Sequence, residues 1–368
     1  MNPEFYSQLA QLSIKGEPLT KEITLQILSS PDFELLPLLN AAYQVRTQFT
    51  GKGVKVHIIN NTQNGFCPED CHYCVQAKTS KADIEEYPLK PDHEIIAEAK
   101  NAYEKGAYRY CMVFAGRGPT KKRVEHLANL IRQIKSKYPI EICVSTGLLD
   151  DDKARVLKEA GLDRLNHNLN TSERHYPEIC TTHTYQDRLN TLQSARRAGI
   201  QLCSGMIVGM NETLNDIVEV AYTLRNMNAE SIPINFLIPV EGNTLKETSR
   251  LTPEFCLRIL CLFRFLNPKA EIRVAAGREL HLRSMEVLAL YAANSLFLDG
   301  YLNTKGANRA KTLQMIKDAG FTVESEHSLE ELLANEQPAV VQSSYVDKTL
   351  IKGLSELRPH RESNTVKT

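Results

Sequence analysis

After residue 50, short β-rich runs alternate with longer amphipathic segments about eight times along the chain. Because strands joined by crossover helices run parallel, this alternation predicts a parallel sheet covered by helices. Eight strand and helix pairs favour a closed (β/α)8 TIM-type barrel of the α/β class over an open doubly wound sheet. Chemistry in such a barrel occurs at the C-terminal ends of the strands, so functional residues are expected there.

The boundaries of these elements follow from the apolar spacing and from glycines behind the helices. The predicted strands are Val54–Asn61, Tyr108–Ala115, Glu141–Ser145, Arg164–Asn168, Gln201–Val208, Ile232–Leu237, Glu271–Ala275 and Ser295–Leu298. The predicted helices are Asp92–Lys105, Lys121–Lys137, Asp151–Ala160, Tyr185–Ala198, Leu214–Met227, Pro253–Leu266, His281–Ala292 and Ala307–Ala319. Glycines such as Gly161 and Gly199 follow several of the helices, where a left-handed C-terminal cap is expected.

The segments on either side of the predicted barrel have a different pattern. Residues 1–50 carry apolar side chains at helical spacing, which predicts an N-terminal helical extension. The barrel is assigned to residues 51–323. Residues 324–368 lose the strand and helix rhythm, which predicts a C-terminal tail that is disordered from Arg358 onwards.

Composition and charge argue against several classes of partner. Lysine plus arginine and aspartate plus glutamate both number 44, so the formal charge is zero and nothing favours nucleic acid or an anionic membrane. The most apolar helical run, Phe255–Leu266, is too short to span a bilayer and carries Arg258 and Arg264. With nine cysteines and no secretory pattern at the N-terminus, a cytoplasmic protein with thiols or metal-bound thiolates is expected rather than one with disulfides.

Three cysteines, Cys67, Cys71 and Cys74, fall within eight residues directly after the first predicted strand. The spacing C-x3-C-x2-C places three soft thiolate donors on one short loop, as a compact metal centre requires. No fourth cysteine is nearby in the sequence, so two interpretations remain open. One is a zinc site completed by His57 or His72, and the other is an iron–sulfur cluster with one iron left open for another ligand. The position at the predicted mouth of the barrel fits an active site better than a peripheral zinc clip.

A second group of residues occupies equivalent positions on four other strands. Cys111, Cys143, Cys203 and Arg273 each lie near the start of a predicted strand. Residues at matching heights in a closed barrel point together into its lumen, so these four are expected to converge. Single buried cysteines are most often small hydrophobic residues, but an arginine is costly to bury unpaired. An anionic thiolate-bound cluster would supply its counter-charge, while Cys180, Cys256 and Cys261 are assigned to packing or to the surface.

Polar residues mark three further places at the predicted mouth. Asn166, Asn168 and Asn170 alternate along the end of the fourth strand and are predicted to face inward, although turn chemistry is the commoner role of such a run. Arg188, on the following helix, either clamps a carboxylate or is solvated. Asn235 interrupts an apolar strand, either to bond a ligand or as a satisfied core amide.

Several motifs together resemble one enzyme family. They are Cys67-Pro68-Glu69-Asp70-Cys71-His72-Tyr73-Cys74, Asn166-His167-Asn168-Leu169, Thr184-Tyr185-Gln186-Asp187-Arg188, Cys203-Ser204-Gly205-Met206-Ile207-Val208-Gly209 and Ala276-Gly277-Arg278-Glu279. The aromatic residue before the third cysteine is typical of radical S-adenosylmethionine enzymes, and the whole set is similar to the biotin synthase family. The resemblance implies sulfur insertion that converts dethiobiotin to biotin, with a 5′-deoxyadenosyl radical generated at a [4Fe-4S] cluster and sulfur taken from a [2Fe-2S] cluster.

The resemblance also implies roles for residues at matching positions. The implied ligands of the [4Fe-4S] cluster are Cys67, Cys71 and Cys74, and those of the [2Fe-2S] cluster are Cys111, Cys143, Cys203 and Arg273. The implied contacts of S-adenosylmethionine are Tyr73, Asn168, Asn170, Arg188 and Ile207. The implied contacts of dethiobiotin are Asn166, Asn168 and Asn235. A homodimer and an electron donor such as flavodoxin are implied as well.

Some positions depart from the family pattern. Asn170 stands where the family usually has aspartate at a contact with the cofactor ribose, and an amide lacks the charge-assisted strength of a carboxylate. The segments Met112–Arg117 and Glu241–Thr244 replace a small-residue run and a Lys-Gly-Thr-Pro pattern. The closest alternative is therefore a related radical enzyme acting on another small molecule. A zinc-stabilised binding protein is the alternative from a different class.

Overall fold

The computed structural model describes residues 1–246, 248, 251–336 and 351–360. The strands are β1 (Gly53–Gln63), β2 (Arg109–Phe114), β3 (Glu141–Ser145), β4 (Arg164–Asn166), β5 (Gln201–Cys203), β6 (Met206–Val208), β7 (Ser231–Phe236), β8 (Glu271–Val274), β9 (Ser295–Phe297) and β10 (Thr322–Val323). Each of these strands runs parallel to its neighbours, and β1 pairs with both β2 and β9. The sheet is therefore closed, and the predicted (β/α)8 barrel is confirmed.

The fifth position of the barrel is occupied by two short strands, β5 and β6, instead of the single predicted strand. The interruption falls at Ser204 and Gly205, and a Cβ atom on Gly205 would clash with the carbonyl oxygen of Pro233. The amide of Gly205 donates to Asn168 Oδ1 at 3.1 Å, and its carbonyl accepts from the amide of Asn170 at 3.0 Å. The break also places the backbone of Gly205 against the loop after β4. A side chain at this position is excluded by the close approach of Pro233 in β7.

Helices cover the outside of the barrel. They are α1 (Pro3–Lys15), α2 (Lys21–Ser29), α3 (Leu35–Thr50), α4 (Asp92–Glu104), α5 (Lys121–Lys137), α6 (Asp151–Glu159), α7 (Tyr176–Ile179), α8 (Tyr185–Arg197), α9 (Leu214–Asn226), α10 (Pro253–Leu266), α11 (Arg278–Leu282), α12 (Arg309–Asp318), α13 (Leu329–Ala334) and α14 (Leu354–Leu357). A 3₁₀ helix over Arg283–Tyr291 replaces most of the helix predicted to begin at His281. Arg283 has a φ of 51°, which breaks the α-helical path at that residue.

The elements around α10 explain why the most apolar helix carries two arginines. Helix α10 packs against α2 and α3. Arg258 donates to the carbonyl oxygen of Ile27 at 2.8 Å, and Arg264 donates to that of Ala292 at 2.8 Å. Both guanidinium groups therefore satisfy backbone carbonyls where elements meet, as buried polar groups require. Within the described part of the chain, no helix is long and apolar enough to cross a membrane.

The segment after the barrel differs from the predicted tail. Residues 324–336 and 351–360 contain the short helices α13 and α14. The prediction of disorder from Arg358 is wrong at Arg358 itself, because its Nε donates to Glu94 Oε2 at 3.0 Å. Residues 361–368, on which the rest of that prediction falls, lie outside the described residues.

Candidate active site

A cavity of about 390 Å³ opens at the C-terminal ends of the barrel strands. All but one of the side chains predicted to act as ligands or contacts line it, namely Cys67, Cys71, Tyr73, Cys74, Cys111, Cys143, Asn166, Asn168, Asn170, Arg188, Ile207, Asn235 and Arg273. The exception, Cys203, is fully buried, and its Sγ accepts from Asn166 Nδ2 at 3.3 Å. The barrel thus gathers residues that are more than 200 positions apart in the chain around one cavity.

The loop that follows β1 carries the first group of thiols and is held by its own acidic residues. Asp70 is buried and accepts hydrogen bonds from the amides of Thr181 at 3.0 Å and Thr182 at 3.2 Å. Although burial opposes ionisation, these hydrogen bonds lower the pKa of Asp70. Burial raises the pKa of the Cys74 thiol to about 11. Because a metal ion binds the thiolate and not the thiol, metal binding at Cys74 would have to release the thiol proton.

Cys180 is a fourth thiol beside this loop, and it is buried in the core, in agreement with a packing role. Its Sγ lies 3.7 Å from Cys71 Sγ and 3.3 Å from His183 Nδ1. The ligand atoms of these three residues lie within 4.8 Å of one another, close enough to hold a metal ion. His183 Nδ1 is also 2.5 Å from Glu69 Oε2, and its Nε2 is 2.9 Å from Arg188 Nη2. Both ring nitrogens therefore have partners. His183 lines the cavity with Cys71, whereas Cys180 is buried in the core beside them.

Neither histidine proposed to complete a zinc site with the three cysteines is placed to do so. Both ring nitrogens of His57 face other groups, with Nε2 3.3 Å from Arg273 and Nδ1 3.3 Å from Arg109. His72 does not line the cavity that the three cysteines line. Among the described residues, Cys71, Cys180 and His183 form the one group of three metal-ligating side chains whose ligand atoms lie within 4.8 Å of one another. That group contains neither His57 nor His72. Cys256 and Cys261 are fully buried in α10, in agreement with a packing role.

Arg188 is buried and forms one wall of the cavity, so it is not a solvated helix residue. A capping box of Thr184 and Asp187 begins α8 and fixes the first turn, on which Arg188 lies. Arg188 Nη1 donates to the carbonyl of Asn168 at 2.9 Å, and Nη2 donates to the Tyr73 hydroxyl at 3.3 Å. A guanidinium held this way presents a fixed cation to a ligand.

Asn168 and Asn170 line the cavity from a loop and not from the strand that was predicted to carry them. Strand β4 ends at Asn166, so strand alternation does not orient Asn168 and Asn170, which lie in the loop behind it. Asn170 has a φ of 68°, and its Nδ2 donates to the Tyr73 hydroxyl at 2.6 Å. Asn235 Nδ2 donates to the carbonyl of Met206 at 3.2 Å, and its Oδ1 accepts from the amide of Ala276 at 3.2 Å. Asn235 thereby also joins neighbouring strand ends.

The second group of thiols converges deeper in the barrel, as the matching strand positions predicted. Cys111 and Cys143 are direct partners in the β2–β3 register. They share one buried cluster with Cys203, and Arg273 Nη1 lies 3.7 Å from Cys203 Sγ. Hydrogen bonding with Cys111 raises the pKa of Cys143, and hydrogen bonding with Cys143 raises that of Cys203. Thiols this close share protons and would ionise together only with a cation such as a metal between them.

A layer of buried charge lies beside Arg273 and was not predicted from the sequence. Glu271 Oε1 is 3.0 Å from His57 Nε2 and 3.1 Å from Arg109 Nη1, and Oε2 is 3.0 Å from Arg164 Nη1. Arg273 also donates to Glu271. Glu271 supplies a counter-charge to Arg273 within the protein itself, in addition to the one expected from a thiolate-bound cluster. The signal was available, since residues two apart on a strand face the same side.

The donor atoms fit two separate thiolate-bound clusters. Cys67, Cys71 and Cys74 offer three thiols on one loop, which suits a cluster with one iron left open. The deeper group offers three thiols and a guanidinium in an enclosed, largely apolar cluster with Phe297. Soft sulfur ligands of this kind select iron–sulfur clusters over hard cations.

Two family models match most of the barrel. The radical SAM superfamily matches residues 64–224, and the biotin and thiamin synthesis associated domain matches residues 233–322. A biotin synthase from Magnetococcus marinus is 57% identical over 316 residues, which cover 86% of this chain and 98% of that protein. A biotin synthase from Acaryochloris marina is 60% identical over 305 residues, which cover 83% of this chain and 88% of that protein.

Solved structures share the fold at lower sequence identity. The FeFe-hydrogenase maturase HydG from Carboxydothermus hydrogenoformans has a TM-score of 0.73 and 20% identity, covering 90% of this chain and 81% of that one. Methylornithine synthase, PylB, has a TM-score of 0.72 and 20% identity, covering 85% and 96% of the two chains. The barrel with its flanking helices is thus common to enzymes of different activity.

Proposed function

The chain belongs to the biotin synthase family, and from this we propose which of its residues bind the cofactors and the substrate. It is an enzyme that inserts sulfur into dethiobiotin to form biotin and uses S-adenosylmethionine, a [4Fe-4S] cluster and a [2Fe-2S] cluster. The observation that carries the proposal is the convergence of two separate thiol groups on one cavity of the barrel.

In this proposal the two groups of thiols hold the two clusters. Ligands of the [4Fe-4S] cluster are Cys67, Cys71 and Cys74, and ligands of the [2Fe-2S] cluster are Cys111, Cys143, Cys203 and Arg273. When bound, the first cluster supplies an electron to S-adenosylmethionine and the second supplies sulfur. Acidic residues such as Asp70 anchor the loop of the first group, whereas the second group lies deeper, beside Phe297 and the buried charges around Glu271.

Residues between the two groups would bind S-adenosylmethionine. We assign this role to Tyr73, Asn168, Asn170, Arg188 and Ile207. The buried cation of Arg188 suits a carboxylate, because a charged partner strengthens its hydrogen bonds. The side-chain amide of Asn170 suits hydroxyl groups, since it offers both a donor and an acceptor.

The substrate would lie between that cofactor and the deeper thiols. We assign its contacts to Asn166, Asn168 and Asn235, of which Asn166 lies 3.3 Å from Cys203 Sγ and 3.4 Å from Asn168 Oδ1. Asn166 thereby links the two ends of the cavity. Apolar side chains such as Phe297 and Ile59 enclose the deeper end and would exclude water from a reactive carbon.

The same proposal extends to the setting in which the enzyme works. We propose a homodimer in the cytoplasm with an electron donor such as flavodoxin, on the basis of the family to which the chain belongs. Mass measurement of the anaerobically purified protein in solution would test the dimer. A mass of one chain at micromolar concentration would contradict it.

Anaerobic reconstitution tests the function directly. The protein supplied with iron, sulfide, a reductant, S-adenosylmethionine and dethiobiotin is expected to form biotin and 5′-deoxyadenosine, measured by chromatography of the products. The purified protein is expected to be brown. Deoxyadenosine without biotin would favour a related radical enzyme acting on another small molecule. A colourless, zinc-loaded protein would instead favour a zinc-stabilised binding protein.

The substitution Asn170→Asp is expected to tighten the binding of S-adenosylmethionine about fivefold. A carboxylate accepts hydrogen bonds more strongly than an amide, by about 1 kcal/mol for one bond. The dissociation constant, measured with cluster-loaded protein, checks this. Asn228→Asp is the matched control, because Asn228 is exposed and also has a positive φ, of 50°. Equal effects of the two substitutions on the dissociation constant would contradict the assignment of Asn170 to the cofactor site.

A further inference from the structure

The loop that follows β9 lines the cavity and is hydrogen-bonded by a segment near the C-terminus. We name residues 299–304 the cavity loop and residues 351–358 the C-terminal strap. Tyr301, Asn303 and Thr304 of the cavity loop line the cavity. The amide of Lys352 donates to the carbonyl of Asn303 at 2.7 Å, and Ile351 forms an antiparallel bridge with Thr304. The strap therefore pairs with the cavity loop along its backbone.

The side chain of Lys352 adds a second set of bonds to the same loop. Its Nζ donates to the carbonyl of Tyr301 at 2.6 Å and to that of Asp299 at 3.0 Å. Asp299 and Gly300 have φ values of 60° and 79°, so the backbone turns in the left-handed region next to the two carbonyls that Lys352 contacts. Burial lowers the pKa of Lys352 to about 8. One side chain thus ties both sides of a strained turn together.

The other end of the strap is attached to α4 on the far side of the cavity loop. Lys90 Nζ donates to the carbonyl of Leu357 at 2.6 Å, and Arg358 Nε donates to Glu94 Oε2 at 3.0 Å. Lys90 is buried, and its Nζ also donates to Glu98 at 2.7 Å. The strap is thereby also attached to the barrel wall through contacts that do not involve the cavity loop.

We propose that Lys352 is a positioning residue for dethiobiotin, because through the anchored strap it holds the cavity loop in the shape that closes the substrate end of the cavity. This inference rests on the proposed function of the cavity. The strap lies outside both matched family segments, which end at residues 224 and 322.

The substitution Lys352→Met tests the proposal, since methionine keeps the apolar stem and removes the donors. The KM for dethiobiotin is expected to rise about tenfold, equivalent to about 1.4 kcal/mol. The kcat, the KM for S-adenosylmethionine and the visible spectra of both clusters are expected to stay unchanged. A chain ending at Glu336, which lacks the strap, is expected to behave in the same way. A chain ending at His360 keeps the strap and serves as the control.

An unchanged KM for dethiobiotin in Lys352→Met would overturn the proposal, as would a loss of cluster absorbance together with kcat. Hydrogen exchange of residues 299–304 can be measured without turnover. Faster exchange is expected in Lys352→Met than in the unsubstituted chain. Equal exchange in both proteins would also overturn the proposal. If the full chain makes no biotin, the proposed function fails, while hydrogen exchange still decides whether the strap holds the loop.

Discussion

Replacing Cys143 with alanine is expected to abolish biotin formation while 5′-deoxyadenosine production continues. Cys143 lies in the deeper group, where it pairs with Cys111 in the β2–β3 register and shares a buried cluster with Cys203. The loop carrying Cys67, Cys71 and Cys74 is anchored separately through Asp70. Loss of a ligand should damage the second cluster and leave the first, so the chemistry would stop after cofactor cleavage.

The loss of biotin yield is expected to exceed about 100-fold, since even removing a partner of a metal ligand typically costs 10–100-fold. Both products and the [2Fe-2S] spectrum are measured after anaerobic reconstitution. Cys261→Ala is the matched control, because Cys261 is fully buried in α10 away from the cavity lining. Full biotin yield with a normal [2Fe-2S] spectrum in Cys143→Ala would show that these thiols do not act together.

Replacing Glu271 with glutamine is expected to destabilise the folded protein by about 3–5 kcal/mol, the usual cost of removing one partner from a buried ion pair. Glu271 is 4% exposed and contacts Arg109, Arg164 and Arg273. Its loss leaves three buried cations with less counter-charge. Urea unfolding of the cluster-free protein measures the change in the free energy of unfolding, which is the shift of the midpoint multiplied by the dependence of that free energy on urea concentration.

The control for that variant is Glu141→Gln, because Glu141 also pairs with Arg109 but its side chain is 31% exposed. A smaller loss is expected there, since partly exposed pairs contribute little. Although burial opposes it, Arg109 and Arg273 hold the pKa of Glu271 well below its usual range. The stabilisation is therefore fully present above the ordinary glutamate pKa of about 4.3 and disappears as the pH falls towards the folded-state value. Equal losses in the two variants would contradict a special role for Glu271.

The convergence of Cys111, Cys143 and Cys203 could be predicted because it depends on local patterns. Each cysteine occupies a matching position on a strand, and parallel strands in a barrel bring matching positions to similar heights. The same reasoning placed Arg273 beside them. Asn168 and Asn170 also reach the cavity, but they do so from a loop in which Asn170 has a left-handed conformation, and no strand pattern encodes that.

By itself, the sequence determined the barrel, the position of its mouth and the residues that would meet there, since apolar periodicity and turn residues report local structure. Only the tertiary structure decided that Cys180 lies beside Cys71 and that the C-terminal strap is bonded to the cavity loop. The contacts of Cys180 and of the strap join segments that are far apart in the chain, and no periodic pattern in the sequence links them. They exist because closing the barrel and packing the loops leaves each buried polar group to find a partner within reach.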